Sequence, residues 1–122
     1  MSENTCSVSR WDLLKSQLNN LEPEVFLKKA IKKSNAILLD VRTASEYGSG
    51  TIVGAKNMDY LGDQFWDQFE ALPKDSALFV FCRTGRRSAR VCTLMRNAGF
   101  TEVYNMEGGL TAQQALGTTV TA

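Results

Sequence analysis

A five-residue apolar run that ends on a cysteine constrains this chain more than any other feature. Residues 77–81 read Ala-Leu-Phe-Val-Phe, and Cys82 follows them directly. A short loop with Gly85 comes next, and a helical pattern begins at Arg86. A buried parallel strand would deliver Cys82 to the carboxyl edge of a sheet, where open α/β folds bind their ligands. The sequence therefore predicts a cysteine at a strand–loop–helix turn.

Positive charge is concentrated around this loop. No Asp or Glu occurs between Asp75 and Glu102, whereas five arginines lie in that interval. They are Arg83, Arg86, Arg87, Arg90 and Arg96. Because the net charge of the whole chain is only +1, the remainder is mildly acidic. Arg90 and Arg96 are typical of a solvated helix face, but the other three flank the cysteine and are candidates for binding an anion.

The residue types in the loop favour nucleophilic chemistry at Cys82. Backbone N–H groups and the N-terminus of the following helix stabilise a thiolate and bind a small anion beside it. The chain has no histidine, which excludes a Cys-His dyad, a Ser-His-Asp triad and histidine metal sites. Backbone amides, the helix terminus and arginine must therefore activate the cysteine. We expect an anionic substrate that contains sulfur or phosphorus.

The other two cysteines indicate neither a disulfide framework nor a metal site. The cysteine count is three, and no Cys-x-x-Cys pair is present. Cys92 shares helical spacing with apolar residues and is expected in the core. Cys6 lies in a polar N-terminal stretch, where it is either a bystander or a resolving thiol. We expect no metal and no cofactor.

The length of 122 residues is typical of one domain, and 43% of the residues are hydrophobic. No apolar run is long enough to span a membrane, and the N-terminus lacks the basic start and apolar core of a signal peptide. We expect a cytoplasmic protein with no nucleic-acid or membrane partner.

Alternating helical and strand patterns predict an α/β fold. Helices are predicted over 11–21, from Pro23 onward, and over 64–72, 86–98 and 109–116, with a helical turn at 43–46; strands are predicted over 36–41, 55–58, 77–81 and 102–105. Such alternation implies a mainly parallel central sheet with helices on both faces. We expect an N-terminal extension with a helix over 1–22 and one domain over 23–122.

Three motifs, in order and at the expected spacing, resemble those of the rhodanese-like domain family. The first is Asp40-Val41-Arg42, then Glu46-Tyr47, then Gly-Thr-Ile-Val-Gly-Ala-Lys-Asn over 50–57. The second is Cys-Arg-Thr-Gly-Arg-Arg-Ser-Ala over 82–89, and the third runs from Gly99 to Leu110. Thr51, Val53 and Gln113 stand where the family usually has histidine, proline and tryptophan. The resemblance covers about residues 23–116.

The resemblance implies a single rhodanese-like domain that transfers sulfur. Cys82 would be the catalytic nucleophile, taking the outer sulfur of thiosulfate or a similar small anionic donor as a persulfide. The acceptor would be cyanide, a small thiol or a partner protein. The resemblance implies substrate binding by Arg83, Thr84, Gly85, Arg86, Arg87 and Ser88, and a supporting role for Asp40 and Arg42, which brace the loop.

Two other functions remain as alternatives. Cysteine-dependent phosphatases and arsenate reductases use a Cys-x5-Arg loop, whereas Cys82 and Arg87 form a Cys-x4-Arg loop, one residue shorter. A shorter loop fits a sulfur atom better than a tetrahedral oxyanion. The second alternative is a binding or sulfur-carrying module whose partner is a protein, since some domains of this family lack the cysteine and only dock partners.

Overall fold

A five-stranded parallel sheet organises the part of the chain that the structure describes. The structure is a computed structural model, and it describes residues 19–115. The strands are β1 (Asn19–Leu21), β2 (Ala36–Asp40), β3 (Lys56–Asn57), β4 (Ala77–Phe81) and β5 (Glu102–Met106). Their order across the sheet is β1-β5-β4-β2-β3, and every pair is parallel. The central position of β4 places Cys82 at the carboxyl edge of the sheet.

Five helices alternate with these strands in the described residues. They are α1 (Pro23–Lys32), α2 (Ala44–Ser49), α3 (Phe65–Glu70), α4 (Arg86–Asn97) and α5 (Gly109–Ala115). Pro23 opens α1 at a position where a helix needs no N–H donor. Thr43 and Glu46 form a capping box that starts α2. Within residues 19–115, no helix is both long and apolar enough to cross a bilayer.

Helices cover both faces of the sheet, which confirms the predicted fold class. All five residues of β4 are buried, and its side chains alternate between two apolar layers. Leu78 and Val80 pack in one layer with residues of α3 and α4, and Cys82 belongs to this layer. Ala77, Phe79 and Phe81 pack in the other layer with residues of α1 and α5. Burial of each large side chain contributes about 1.5–3 kcal/mol, so the strand that carries Cys82 is firmly held.

The prediction of a helix over 11–21 is wrong for its last three residues. Residues 19–21 form β1, which pairs with β5 through Asn19↔Tyr104 and Leu21↔Met106. Glu22 precedes Pro23 and is extended (φ −59°, ψ 151°), because proline disfavours a helical residue before it. The rest of the predicted helix, Cys6 and residue 116 lie outside the described residues. The domain boundary after residue 22 stays a prediction. β1, which lies before that boundary in the sequence, forms part of the central sheet.

Candidate active site

Cys82 lies at the end of β4, and three hydrogen-bond donors converge on its sulfur. Sγ accepts the backbone N–H of Gly85 at 3.1 Å and that of Ser88 at 3.4 Å. The Ser88 hydroxyl oxygen lies 3.4 Å from the same sulfur. Cys82 is only 1% exposed, so these donors act on a sulfur that is largely shielded from water. The arrangement favours negative charge on sulfur, because donors that point at it replace lost solvation.

Gly85 gives the loop the turn that aims α4 at the sulfur. It precedes Arg86 as the N-cap residue of α4 and has a φ of 97°, in the left-handed region that favours glycine. A Cβ at this position would lie 3.3 Å from the carbonyl oxygen of Met106. The turn brings the N-terminus of a 12-residue helix to Cys82, with the positive end of its dipole toward the sulfur.

The start of α5 holds the cysteine loop from the other side. The backbone N–H of Leu110 donates to the Cys82 carbonyl at 2.9 Å, and that of Thr111 donates to the Arg83 carbonyl at 3.0 Å. A Cβ on Gly109 would lie 2.5 Å from both carbonyl oxygens, so only glycine fits this approach. No role was predicted for Gly109, although a Gly-Gly pair such as that in the third motif is a sequence signal for a close backbone approach.

Ser88 connects the sulfur to a buried amide. Its hydroxyl lies 2.5 Å from Oδ1 of Asn105, a residue that is 1% exposed. Nδ2 of Asn105 donates to the side chain of Asn20 on β1 at 2.8 Å, which fixes the amide orientation. Because a hydroxyl has one proton, Ser88 donates either to Asn105 or to the Cys82 sulfur at one time. Asn105 was not predicted from the sequence as a residue of the site.

Two of the loop arginines contact a carboxylate from α2. Glu46 binds Arg87 through two hydrogen bonds, of 3.1 Å to Nη1 and 3.3 Å to Nη2. Arg83 reaches the same carboxylate at 3.2 Å. The hydrogen bonds from Arg87 lower the pKa of Glu46 to about 2, so the carboxylate stays charged at neutral pH. Thr84 and Arg86, predicted to bind substrate, are exposed.

Asp40 and Arg42 form a buried ion pair at the end of β2. The Asp40 carboxylate is 0% exposed and accepts Nη2 of Arg42 at 2.7 Å and Nε at 3.0 and 3.1 Å. Thr51 adds a hydroxyl donor at 2.8 Å, and Arg42 also donates to the Gly50 carbonyl. Asn57 donates to the main-chain carbonyls of both residues of the pair, each at 3.0 Å. The pair thus ties β2 to the segment that leads into β3.

The positions that depart from the family pattern have different surroundings. Thr51 is buried and supplies the hydrogen bond to Asp40, whereas Val53 is 73% exposed. Gln113 is 0% exposed, and neither polar atom of its amide has a hydrogen-bond partner among the described residues. The first two changes are accommodated locally, whereas the described residues offer the buried amide of Gln113 no hydrogen bond.

Cys92 is a core residue of α4, as its spacing predicts. It is 1% exposed, and burial raises the pKa of its thiol. An inert, neutral thiol is the expected state of a cysteine in such surroundings. Of the two cysteines in the described residues, Cys82 is the one whose sulfur accepts the hydrogen bonds of the loop.

The parallel sheet and the cysteine loop at its carboxyl edge define the class of protein. The family model of the rhodanese-like domain matches residues 25–116, and the chain belongs to the rhodanese-like domain family. The Bacillus subtilis protein YqhL is 34% identical over 74 residues, which cover 61% of this chain and 57% of YqhL. This chain therefore spans little more than half the length of that relative.

Two further comparisons agree with this membership. Thiosulfate sulfurtransferase GlpE of Pseudomonas fluorescens is 28% identical over 94 residues, which cover 77% of this chain and 83% of GlpE. The solution structure of the rhodanese-like domain of Anabaena Alr3790 matches with a TM-score of 0.70 at 27% identity. That match covers 83% of this chain and 76% of the Anabaena chain. The family predicted from the three motifs is confirmed.

Proposed function

We infer that this chain moves a sulfane sulfur from a donor to an acceptor through a persulfide on Cys82. The Cys82 thiolate attacks the outer sulfur of the donor, and a new S–S bond forms on Sγ. The bond between that sulfur and the rest of the donor breaks, and the leaving group takes the electron pair; from thiosulfate it leaves as sulfite. A nucleophilic acceptor then removes the outer sulfur and restores the thiolate. No external oxidant or reductant is needed.

One observation carries this proposal: the donors of Gly85 and Ser88 converge on the Cys82 sulfur at the N-terminus of α4. Both the thiolate and the persulfide are anions, and fixed donors in a shielded site stabilise such charge without reorganisation. The burial of Cys82 also protects a persulfide from water. The relative named as a thiosulfate sulfurtransferase supports thiosulfate, or a donor like it, as the sulfur source.

The loop residues have distinct proposed roles. Gly85 and Ser88 hold the reacting sulfur, whereas Arg83, Thr84, Arg86 and Arg87 form the surface that an anionic donor meets. Phosphatase chemistry has less support, because it requires an arginine that clamps a tetrahedral oxyanion. The bidentate contact of Arg87 with Glu46 occupies that guanidinium, and the loop is one residue short.

The test compares cysteine variants in the transfer of sulfur from thiosulfate to cyanide, with thiocyanate as the product measured. Cys82→Ser is expected to reduce turnover to background, because the attacking sulfur is lost. Cys92→Ala, which removes the other buried thiol, and Cys6→Ser are matched controls and are expected to retain most of the activity. Full activity in the Cys82 variant would overturn the mechanism.

A second arm tests the phosphatase alternative with an aryl phosphate as substrate. The unaltered protein is expected to hydrolyse it negligibly. Insertion of one glycine between Gly85 and Arg86 lengthens the loop to the Cys-x5-Arg spacing, and we expect it to weaken sulfur transfer. Phosphate hydrolysis by the unaltered protein that depends on Cys82 and exceeds sulfur transfer would replace the proposed function.

A further inference from the structure

A surface cavity of about 180 Å³ lies between α4 and the segment that follows β3. The residues that line it are Tyr60, Arg90, Thr93 and Leu94. The Tyr60 ring is held edge-on against Phe65, with 5.3 Å between the ring centroids. Tyr60 and Leu94 both pack against the apolar layer that contains Cys82. The cavity is therefore on the same face of the sheet as the Cys82 side chain.

Main-chain hydrogen bonds give the separation between this cavity and the cysteine. The N–H of Val41 donates to the Phe81 carbonyl at 3.0 Å, and the N–H of Tyr60 donates to the Val41 carbonyl at 3.3 Å. Phe81 directly precedes Cys82. Because hydrogen-bonded neighbours in a sheet lie about 4.8 Å apart, Tyr60 is about 10 Å from the chain that carries the sulfur. An extended peptide covers that distance with about three residues.

Arg90 brings a positive charge without an acidic partner to the cavity. Its side chain is exposed, and its guanidinium forms no hydrogen bond or ion pair with another residue of the described range 19–115. Helix α4 contains no acidic residue. In the facing segment, Asp59 uses its two carboxylate oxygens to accept the main-chain N–H groups of Leu61 at 2.8 Å and Ala44 at 3.0 Å. The guanidinium of Arg90 is thus available to a carboxylate from another molecule.

Apolar groups surround this charge. Leu94 is half-buried in the wall of the cavity, and Leu61, which follows Tyr60, is 71% exposed. The Tyr60 hydroxyl forms no hydrogen bond with another described residue, so it is a second donor for a carboxylate. Tyrosine and arginine beside exposed leucine are typical of the centre of a protein interface. The surface therefore fits an acidic side chain carried on an apolar peptide segment, and Arg90 would repel a basic one.

We propose that this cavity docks an acidic residue of a protein acceptor, about three residues along the chain from the cysteine that receives the sulfur. Arg90 binds the carboxylate, and Tyr60 and Leu94 contact the stem of the same side chain. The inference rests on the proposed sulfur transfer and names the chemistry of its acceptor. The docked acceptor thiolate attacks the outer sulfur of the Cys82 persulfide and forms a new S–S bond. The electron pair of the broken bond returns to the Cys82 sulfur as a thiolate.

The experiment follows sulfur as it moves from the persulfide of the full chain to a synthetic peptide, by intact mass of both over time. Cys82 is loaded with thiosulfate, and the excess donor is removed. The probes are blocked peptides with one cysteine, in which the third residue on each side of the cysteine is glutamate, glutamine or lysine. At low salt we expect the glutamate peptide to react about threefold to fivefold faster than the glutamine peptide, the size of one exposed ion pair.

Three variants test whether Arg90 is the source of this preference. Arg90→Gln should remove the difference between the glutamate and glutamine peptides. Arg96→Gln, the matched control, removes the same charge from the same helix about 9 Å further along, and should keep the difference. Arg90→Glu should make the lysine peptide the faster acceptor. Transfer to cyanide should change less than about twofold in both glutamine variants at physiological salt, because so small an acceptor does not need the cavity.

Each outcome supports or contradicts a stated part of the proposal. Equal rates with the glutamate and glutamine peptides, or a preference that survives Arg90→Gln, would overturn the docking site while cyanide transfer leaves the proposed function standing. N-Acetylcysteine carries its carboxylate on the cysteine itself, so its rate should not depend on Arg90. An equal loss with N-acetylcysteine and the glutamate peptide would assign the cavity to small thiols and contradict the proposal. If no persulfide forms on Cys82, the proposed function fails and this inference fails with it.

Discussion

The buried pair of Asp40 and Arg42 provides a quantitative test of whether these two residues stabilise the fold or take part in chemistry. Asp40→Asn removes the charge and keeps the shape of the side chain. The carboxylate accepts the Arg42 backbone N–H, Nε and Nη2, and the Thr51 hydroxyl. Because Arg42 is only 6% exposed, its guanidinium would stay buried without an opposite charge. Removing one partner of such a pair costs about 3–5 kcal/mol.

The total stability of a domain is about 5–15 kcal/mol, which exceeds this loss in most of that range. We therefore expect Asp40→Asn to fold at low temperature, with much lower stability. Urea unfolding is expected to give an unchanged m-value and a midpoint displaced by that loss, and the melting temperature should fall by about 12–20 °C. The control Thr51→Val removes one hydrogen bond to the same carboxylate and should cost less than Asp40→Asn, about 1.5–3 kcal/mol.

Sulfur transfer, measured on the folded fraction of Asp40→Asn, decides the role of the pair. We expect folded protein to keep most of its activity, because the described hydrogen bonds of Asp40 and Arg42 tie loops together and do not reach Cys82. Stability within about 1 kcal/mol of the unaltered protein, together with lost activity, would refute the reasoning and give the pair a chemical role.

Three further predictions concern single residues. Glu46 has its pKa lowered to about 2, so its stabilising contribution is fully present above its unfolded value of 4.5 and is lost as the pH falls through 2. Urea unfolding should show Glu46→Gln less stable by about 2 kcal/mol at pH 7, with a smaller difference at pH 3; an equal difference at both values would contradict this. Gln113→Met should raise the free energy of unfolding by about 1–3 kcal/mol, since it removes one buried amide group, neither polar atom of which has a partner among the described residues; a loss of stability would contradict this. Gly109→Ala should slow both sulfur transfer and alkylation of Cys82, because its Cβ would lie 2.5 Å from the Cys82 carbonyl oxygen; unchanged rates would show that the loop does not depend on this approach.

The strand and the loop that carry Cys82 were predictable from the sequence because their signals are local. The apolar run over 77–81 matches β4, and the helix predicted over 86–98 ends within one residue of α4. Gly99 follows that helix with a φ of 104°, a conformation that favours glycine and ends a helix. The apolar run and the position of the glycine thus predicted the strand and the helix that flank Cys82.

Features that depend on distant partners were not predictable in the same way. Residues 19–21 have no strand pattern of their own, and they extend because β5 supplies their hydrogen bonds. Glu46 contacts Arg83 and Arg87 across 37 and 41 residues of chain. The acidic–aromatic pair in the first motif identified the position of Glu46 in the sequence. A spacing pattern predicts buried positions and turns, but it does not predict which charged side chains form ion pairs.

Asn105, which lies nearer to the Cys82 sulfur, also has partners that the sequence did not predict. It lies in β5 and is 1% exposed, and an amide at a buried position needs hydrogen-bond partners. Those partners, Ser88 and Asn20, come from α4 and β1 and are known only once the sheet is assembled. The sequence therefore predicted the position of Cys82 and its loop better than the contacts that surround them.

The most direct test of the central claim is the intact mass of the unaltered protein after incubation with a sulfur donor, followed by peptide mapping. We expect a gain of one sulfur atom on Cys82 that disappears when cyanide is added. Either thiosulfate or an alkyl persulfide should produce it, whichever donor reacts faster. A folded protein that gains no sulfur from either donor, or gains it on Cys6 or Cys92 while Cys82 stays unmodified, would contradict the account.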